Sequence, residues 1–521
     1  MTAVATIVVF TGMLAYMVKG VGLFLSIFFP FSPTVCALAL IVVATLYTVA
    51  SGFYGVVYTD VFQSIIILIA VVVVSLMAFF EINQMDGNLS ELASEVTGNS
   101  SWTSTSLPWQ TTMPKGYEIY QNLGLFTLFY LLRNVMAGLG SGADPKYFGA
   151  RNDRECGLLT FMIGWLTMFR WPFMMGIAVL GLFFVKEAIP DQTVLETASE
   201  TIQASLGDIA PNRWEDTIAE IIHHPESHAE LVDQLKTQVG SNNWQTKLKL
   251  LSYQGTVNPE RILPVVLLTK IPMGLRGLIL VALIAASMST FDSTVNAATG
   301  YFTRDVYQAF FRRAAGNREL MFASYLFGVA MVACGFALGY GTKSINHIWD
   351  WLVMGLGAGV AVPSILRLYW WRFNAGGLII GTIAGMLVAV IQRYLYPNIN
   401  PISGFTVVTS ISAIATIGGA LLTKPTDLKV LTKFYVRTRP FGLWGPLKKS
   451  LPDDVRKEME QEHRYDIIAL PFTMCWQVSL FMLPMQLLIG AFPDFWITLA
   501  IFLVALTGVY FFWYRRLPAA D

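Results

Sequence analysis

Long apolar runs separated by polar segments recur along the whole chain. An apolar run of about 18 residues or more can cross the roughly 30 Å hydrocarbon core of a bilayer as a helix. Helices are predicted near 3–28, 34–52, 60–80, 121–141, 157–185, 272–300, 320–341, 347–370, 374–393, 404–423, 467–489 and 493–514. Strands of alternating polarity are not evident, which disfavours a barrel. The pattern therefore predicts an all-α polytopic membrane protein with about twelve transmembrane helices.

Three polar segments interrupt this pattern. Residues 82–120 are rich in Ser, Thr and acids, 186–262 are acidic with helical patches, and 424–466 are strongly basic. Most Lys and Arg residues of the short connections fall on the side of the membrane that holds residue 1. The positive-inside rule therefore places both termini in the cytoplasm, and the chain is expected to be a multi-pass protein of the cell membrane.

Composition narrows the functional class. The chain is 55% hydrophobic and 13% charged with a net charge of +1, and its mean hydropathy is +0.55. This balance gives no support for nucleic-acid binding. The four cysteines lack CxxC spacing, so no disulfide or metal framework is expected. Without GxxxxGK[ST], HExxH or GxSxG motifs, we expect a carrier of small solutes rather than an enzyme.

One predicted helix carries an unusual set of polar residues. The run 282–307 reads ALIAASMSTFDSTVNAATGYFTRDVY, and its spacing places Ala286, Ser289, Thr290 and Ser293 on one face. Polar groups inside a membrane are costly and mark functional sites. Hydroxyl and carbonyl oxygens suit a hard cation such as sodium. The alternative is that these small residues only allow close helix packing.

Together with SGFYGVVYTDVFQ at 51–63 and GSGADPKYFGARNDRECG at 140–157, this run resembles the sodium:solute symporter family. The blocks occur in the family's order and spacing, and the similarity extends over roughly residues 10–420. The resemblance implies a LeuT-type inverted-repeat bundle in which solute and ions bind near the middle of the membrane.

The same resemblance divides the chain into two parts. Residues 1–372 form the transporter core, and the second inverted repeat covers about 121–372. Residues 373–521 supply additional C-terminal helices and the basic cytoplasmic linker 424–466.

The resemblance also assigns ion sites. Ala286, Ser289 and Thr290 match the family's main sodium site. Asp60, Asp292 and Ser293 match a possible second sodium site, although Asp292 replaces a hydroxyl there and could instead form a salt bridge inside the bundle. Sodium is the co-transported ion, and no other metal is implied.

The resemblance also implies a solute site, by comparison with the galactose carriers of the same family, and the matching residues here carry more charge than theirs. They are Arg133, Asn134, Arg170, Trp349, Asp350 and Trp351. Arginine suits carboxylates, so two arginines favour an anionic or zwitterionic solute, and the tryptophans could stack on a sugar ring. The alternative is that Arg133 and Asp350 neutralise one another and a neutral sugar binds.

Aligned with the family, the chain begins at the third core helix, because residues 3–28 match that helix. The first core helix, which supplies backbone carbonyls to the main sodium site, is then missing. The expected function is sodium-coupled symport of a small polar solute, which would be a sugar, a sugar acid, or an amino or carboxylic acid. The alternatives are a solute-sensing module and an inactive fragment. The expected partners are the solute, sodium and the lipid bilayer, without nucleic acid; the sequence does not indicate an oligomeric state.

Overall fold

The computed structural model describes residues 2–113, 115, 117–140, 147, 150–207, 209–342, 345–396 and 399–518, without the side chains of 46–60, 119, 347 and 353. Within these ranges the chain is almost entirely helical, and its strand-like pairings are two isolated bridges. The prediction of an all-α architecture is confirmed.

The helices follow one another in this order: α1 Thr2–Leu25, α2 Pro33–Gln84, α3 Leu89–Thr97, α4 Leu123–Gly140, α5 Asp153–Thr167, α6 Arg170–Ala188, α7 Thr193–Leu206, α8 Trp214–His223, α9 Ala229–Val239, α10 Trp244–Lys249, α11 Ile262–Thr269, α12 Met273–Tyr301, α13 Asn317–Tyr340, α14 Ile345–Asp350, α15 Gly357–Tyr369, α16 Ala375–Leu395, α17 Pro401–Leu422, α18 Leu428–Thr438, α19 Gly445–Lys448, α20 Asp453–Leu488 and α21 Phe492–Phe512. Two π-helical segments continue this series, Phe302–Phe311 after α12 and Trp351–Leu356 between α14 and α15.

In the part of the chain that the structure describes, eleven helical segments are long and apolar enough to cross a membrane. A shorter apolar helix, Pro33–Thr45, adds to them. The prediction of a polytopic membrane protein is therefore confirmed.

The predicted break between helices at 34–52 and 60–80 is wrong. The structure has one continuous helix of 52 residues, α2. At 1.5 Å per residue this helix is about 78 Å long, more than twice the thickness of a bilayer core of roughly 30 Å. The segment between the two predicted helices contains glycines but no proline, and glycine alone weakens a helix without ending it.

Helix α1 lies at the centre of the bundle, where it packs against α2, α12 and α13. Leu14 of α1 is fully buried, in a cluster with Phe291 of α12 and Met331 of α13. The approach of α13 depends on glycine, because a Cβ on Gly339 would lie 2.8 Å from the carbonyl oxygen of Ala15. Small residues allow helix backbones to approach this closely in membranes.

The acidic segment after α6 folds into a compact structure. Helices α7 to α10 pack around Leu195, Trp214 and Leu235, whose side chains are almost fully buried. The indole of Trp214 donates a hydrogen bond of 3.0 Å to the carbonyl of Leu251. These residues share one hydrophobic cluster with side chains of α6 and α11. We call residues 190–261 the cap.

The basic segment 424–466 is also folded. Helices α18, α19 and the first part of α20 enclose Tyr435, Trp444 and Met459. The indole of Trp444 donates a 3.1 Å hydrogen bond to the carbonyl of Leu368, which fixes this segment to the end of α15. The linker is therefore more ordered than its polar composition suggested.

Helices α15 and α16 cross at a pair of glycines. A Cβ on Gly385 would lie 2.6 Å from the Cα of Gly359, and Ser412 of α17 donates a 2.8 Å hydrogen bond to the Gly359 carbonyl. The crossing thus leaves no room for a side chain.

We expect Gly385→Leu to destabilise the protein by at least about 2 kcal/mol, because overpacking forces these backbones apart. Gly418→Leu is the matched control, since no atom lies within 4 Å of the position of its Cβ. Thermal unfolding of the two purified variants in detergent checks this expectation. Equal melting temperatures would show that the glycine crossing is not a tight constraint.

Candidate functional site

Helix α12 presents the polar face that the sequence predicted. Ala286 and Ser289 are half-buried, and Thr290 and Ser293 are exposed. The Thr290 hydroxyl donates a 3.1 Å hydrogen bond to the carbonyl of Ala286. A hydroxyl can rotate its hydrogen away, so these two oxygens lie close enough together for a single cation to contact both.

Asp292 and Ser293 point in different directions from α12. Asp292 is fully buried, whereas Ser293 is exposed and donates a 3.0 Å hydrogen bond to the carbonyl of Thr290. Consecutive residues of a helix are about 100° apart, which accounts for the difference. Asp60, the third residue of the possible second sodium site, lies outside the residues whose side chains are described.

Trp349 lies in an aromatic cluster that joins three helices. Its ring centroid is 5.1 Å from that of Tyr16 on α1, and its indole donates a 3.3 Å hydrogen bond to the hydroxyl of Tyr130 on α4. Tyr130 in turn stacks on Phe126 at 5.8 Å. Tyr16 and Tyr130 did not emerge from the sequence, because each lies in an apolar run where an aromatic residue is typical of packing. Their hydroxyls are the signal that could have identified them.

The two candidate arginines lie near this cluster on different helices. Arg133, three residues after Tyr130 on α4, donates a 2.8 Å hydrogen bond to the side-chain oxygen of Asn134 and interacts electrostatically with Tyr130. Arg170 is exposed at the start of α6, and its charge interacts electrostatically with Tyr16. The structure therefore groups Arg133, Asn134, Arg170 and Trp349 around two tyrosines.

Arg133 lines a cavity of about 340 Å³ between α1, α4 and α15. Its wall includes Thr6, Phe10 and Ser364. The volume is within the roughly 300–1,000 Å³ of small-molecule sites. No carboxylate is among the described residues that line it.

Asp350 faces away from this cavity. Its carboxylate accepts a hydrogen bond from the hydroxyl of Tyr120 and interacts with the charge of Arg393 on α16. Burial and the Asp350 carboxylate raise the pKa of the Tyr120 hydroxyl well above its usual range, which keeps Tyr120 protonated as a donor. Mutual neutralisation of Arg133 and Asp350 is therefore wrong, because Asp350 has Tyr120 and Arg393 as its partners.

Trp351 also faces α16, where its indole donates a 3.2 Å hydrogen bond to the carbonyl of Ala389. Asp350, Trp351 and Arg393 line a separate cavity of about 60 Å³. The structure thus divides the predicted solute residues into a group around Trp349 and a group against α16.

A π-helical segment, Trp351–Leu356, follows directly. The backbone N–H of Gly357 bonds to the carbonyl of Leu352, five residues back rather than four. Such π-bulges are frequent at functional sites. No periodic pattern predicted this segment, although Gly355 and Gly357 mark a weak point in the helix.

We expect Asp350→Ala to destabilise the protein by about 1–2 kcal/mol, because it removes the carboxylate that accepts from Tyr120 and balances the charge of the half-buried Arg393. Adding Arg393→Met should restore most of this stability. Adding Arg133→Met instead is the control and should restore none. Thermal unfolding of the single and double variants tests the pairing, and recovery with Arg133→Met would contradict it.

The match to a known protein family covers the core helices and largely omits the cap. The sequence profile of the sodium:solute symporter family matches residues 1–189 and 253–385 and leaves out most of the cap. Sodium/glucose cotransporter 1 of Oryctolagus cuniculus is 23% identical over 366 residues, which are 68% of this chain and 48% of that protein. The sodium/myo-inositol cotransporter of Homo sapiens is 33% identical over 141 residues, 25% of this chain and 19% of that protein.

A solved structure of a Na⁺-coupled sialic acid symporter in its substrate-bound outward-open state is also similar. The TM-score is 0.44 at 16% identity, and the aligned part covers 82% of this chain and 74% of the symporter chain. The chain spans about half the length of the curated relatives that it matches most extensively.

The family is one of membrane transporters, as the sequence resemblance implied, and not of enzymes. Its profile matches more than half of the residues, at both the α12 polar face and the helices around Trp349. The chain belongs to the sodium:solute symporter family.

Proposed function

We propose that the protein is a sodium-coupled secondary symporter that imports a small polar organic solute by alternating access. The observation that carries this proposal is the polar face of α12, where the Thr290 hydroxyl and the Ala286 carbonyl lie 3.1 Å apart. Ser289 lies on the same face. Oxygen ligands of this kind suit a hard cation. Thr290 and Ser293 are exposed, so close helix packing does not account for their hydroxyls.

Sodium and solute are coupled in this proposal by linkage. Sodium bound at Ala286, Ser289 and Thr290 favours the outward-open state, which accepts the solute. Sodium then tightens solute binding, and the solute tightens sodium binding by the same factor. Asp292 and Ser293, with Asp60, remain the candidates for a second sodium ion.

The charges around the cavity support an anionic or zwitterionic solute. Arg133 lines it without a carboxylate among the described lining residues, whereas Asp350 is occupied by Tyr120 and Arg393. A solute carboxylate would supply the missing negative charge. Sugar acids, keto acids and amino acids have this group, and Phe10 and Phe405 supply aromatic side chains to the wall of the same cavity.

The proposed setting is the cell membrane with both termini in the cytoplasm, which requires the two apolar parts of α2, Pro33–Thr45 and Val61–Gln84, to cross the membrane separately. Basic residues of the short connections and of 424–466 then lie on the cytoplasmic side, and the cap lies outside. Arg304, Arg312 and Arg313 around the end of α12 support the same orientation.

We expect uptake into proteoliposomes to stop when choline replaces sodium. Thr290→Ala should raise the sodium concentration for half-maximal uptake about tenfold, because one oxygen ligand to the cation is lost. Thr299→Ala on the same helix is the control, since Thr299 is buried and donates to the carbonyl of Asn296. Uptake that is unchanged in choline would overturn the proposal.

We expect Arg133→Gln to weaken uptake of a carboxylate solute by about tenfold or more, since hydrogen bonds to charged groups contribute roughly 1.5–3 kcal/mol. Uptake of the corresponding neutral amide should change little. KM values for each acid and amide pair provide the measurement, and the exposed Arg318→Gln is the control. Equal losses for acid and amide would argue for a neutral solute.

A further inference from the structure

Three charged residues of the cap contact the ends of core helices. The Asp216 carboxylate accepts hydrogen bonds from the Thr34 hydroxyl at 3.0 Å and from the Thr34 backbone N–H at 3.4 Å. The Glu260 carboxylate accepts from the backbone N–H groups of Ile345 and Asn346 at 3.0 and 3.2 Å. The Lys249 ammonium donates to the carbonyl of Ile27 at 2.9 Å.

Each contact has the sign of charge that the helix end requires. Asp216 lies at the N-terminus of α2, and Glu260 at the N-terminus of the rod formed by α14, the π-helical segment and α15. Lys249 lies just beyond the C-terminus of α1. Helix dipoles favour negative charge at N-termini and positive charge at C-termini. The cap therefore complements three core helices at one end of the bundle.

Arg261 links the three contacts within the cap. It follows Glu260 in sequence, is 2% exposed, and donates a 3.1 Å hydrogen bond to the carbonyl of Lys249. Its charge interacts with Glu215, Glu260 and Asp216. Because Arg261 interacts with Asp216, Lys249 and Glu260 at once, a displacement of one of these residues changes the surroundings of the charge that the other two contact.

We propose that the cap is a latch whose contacts to α1, α2 and α14 open and close as one unit, with Glu260 as the positioning residue for Trp349 and Asp350. The role of these two residues in solute binding rests on the proposed function. The latch itself rests on the geometry of the cap. Asp216 and Lys249 lie in the segment 190–252, which the family profile does not match, whereas Glu260 and Arg261 lie within the matched residues.

Some buried polar atoms of the closed latch make no hydrogen bond to the described residues, and this favours opening. Arg261 Nε and Nη2 and Glu215 Oε2 are buried without a hydrogen-bond partner among the described residues. Buried polar atoms without partners are unfavourable. Release of the cap hydrates these atoms, and this gain offsets part of the loss of the helix-end contacts.

Protons affect this balance through Glu260. Burial is the main cause that raises the pKa of Glu260 to about 7, and the nearby Glu215 adds to it. The N–H groups of Asn346 and Ile345 and the charge of Lys19 oppose the shift. The other charged or titratable groups that interact with Glu260 are Arg261, Tyr16, Tyr117 and Tyr120.

The sign of the pH effect follows from the two states. Glu260 in the closed latch binds its proton more tightly than hydrated Glu260 in the open latch, whose pKa returns to its usual value. Acid therefore favours the closed latch and alkali favours the open one. Linkage predicts about tenfold more opening at pH 8 than at pH 6.

Hydrogen exchange of backbone amides, measured by mass spectrometry on the full chain without sodium or solute, tests the latch. We expect Glu260→Ala to accelerate exchange at least fivefold at the start of α14 and also at the start of α2. Asp216→Ala should accelerate the same two segments. Glu230→Ala, at an exposed position on the cap helix α9, is the control. Acceleration confined to the helix end next to each substitution would overturn the proposal.

Glu260→Gln distinguishes the latch from a merely structural contact. The carboxamide still accepts from Ile345 and Asn346 but cannot titrate, so exchange should stay slow and lose its tenfold change between pH 6 and pH 8 after correction for intrinsic rates. Retention of the wild-type pH change would contradict the role of Glu260. Since no uptake is measured, the latch can fail while sodium-driven uptake is observed, and the reverse also holds.

Discussion

The cost of placing a polar group in hydrocarbon is the constraint on which the rest of the structure depends. Every charge within the bundle must have a partner inside the protein or line a cavity. Asp350 meets this requirement through Tyr120 and Arg393. Arg133 meets it differently, because its guanidinium lines a cavity beside α1 and α15. The first arrangement is satisfied within the protein, and the second leaves a charge available to a ligand.

Tight helix contacts set where these charges can lie. Gly335 and Gly339 bring α13 against α1, and Gly359 with Gly385 brings α15 against α16. The second crossing fixes α16 beside α15, so that Arg393 is near Asp350 and Trp351 can reach the carbonyl of Ala389. Residues without side chains thus determine which charged residues meet.

The sequence predicted much of the fold, because hydrophobic runs and polar breaks follow directly from the bilayer. It predicted that Ala286, Ser289 and Thr290 share one face of a helix, and helical spacing alone decides that they do so on α12. It failed at 34–80, where two separate apolar windows indicated a break that the backbone does not make. Partners such as Arg393 for Asp350, or Tyr130 for Trp349, depend on helix packing over long sequence separations and leave no local pattern.

The π-helical segment Trp351–Leu356 has a mechanical consequence for the rod that it interrupts. Each of its backbone hydrogen bonds closes over one residue more than in an α-helix. The segment therefore shifts the helical register by one residue, about 100° of rotation, between the part that begins at Ile345 and the part that ends at Tyr369. If this bulge moves along the rod, the residues that it passes turn to a new side while both ends keep their positions. Trp349 and Asp350, which now face different neighbours, could in this way exchange them by a rotation about the helix axis without any helix leaving the bundle.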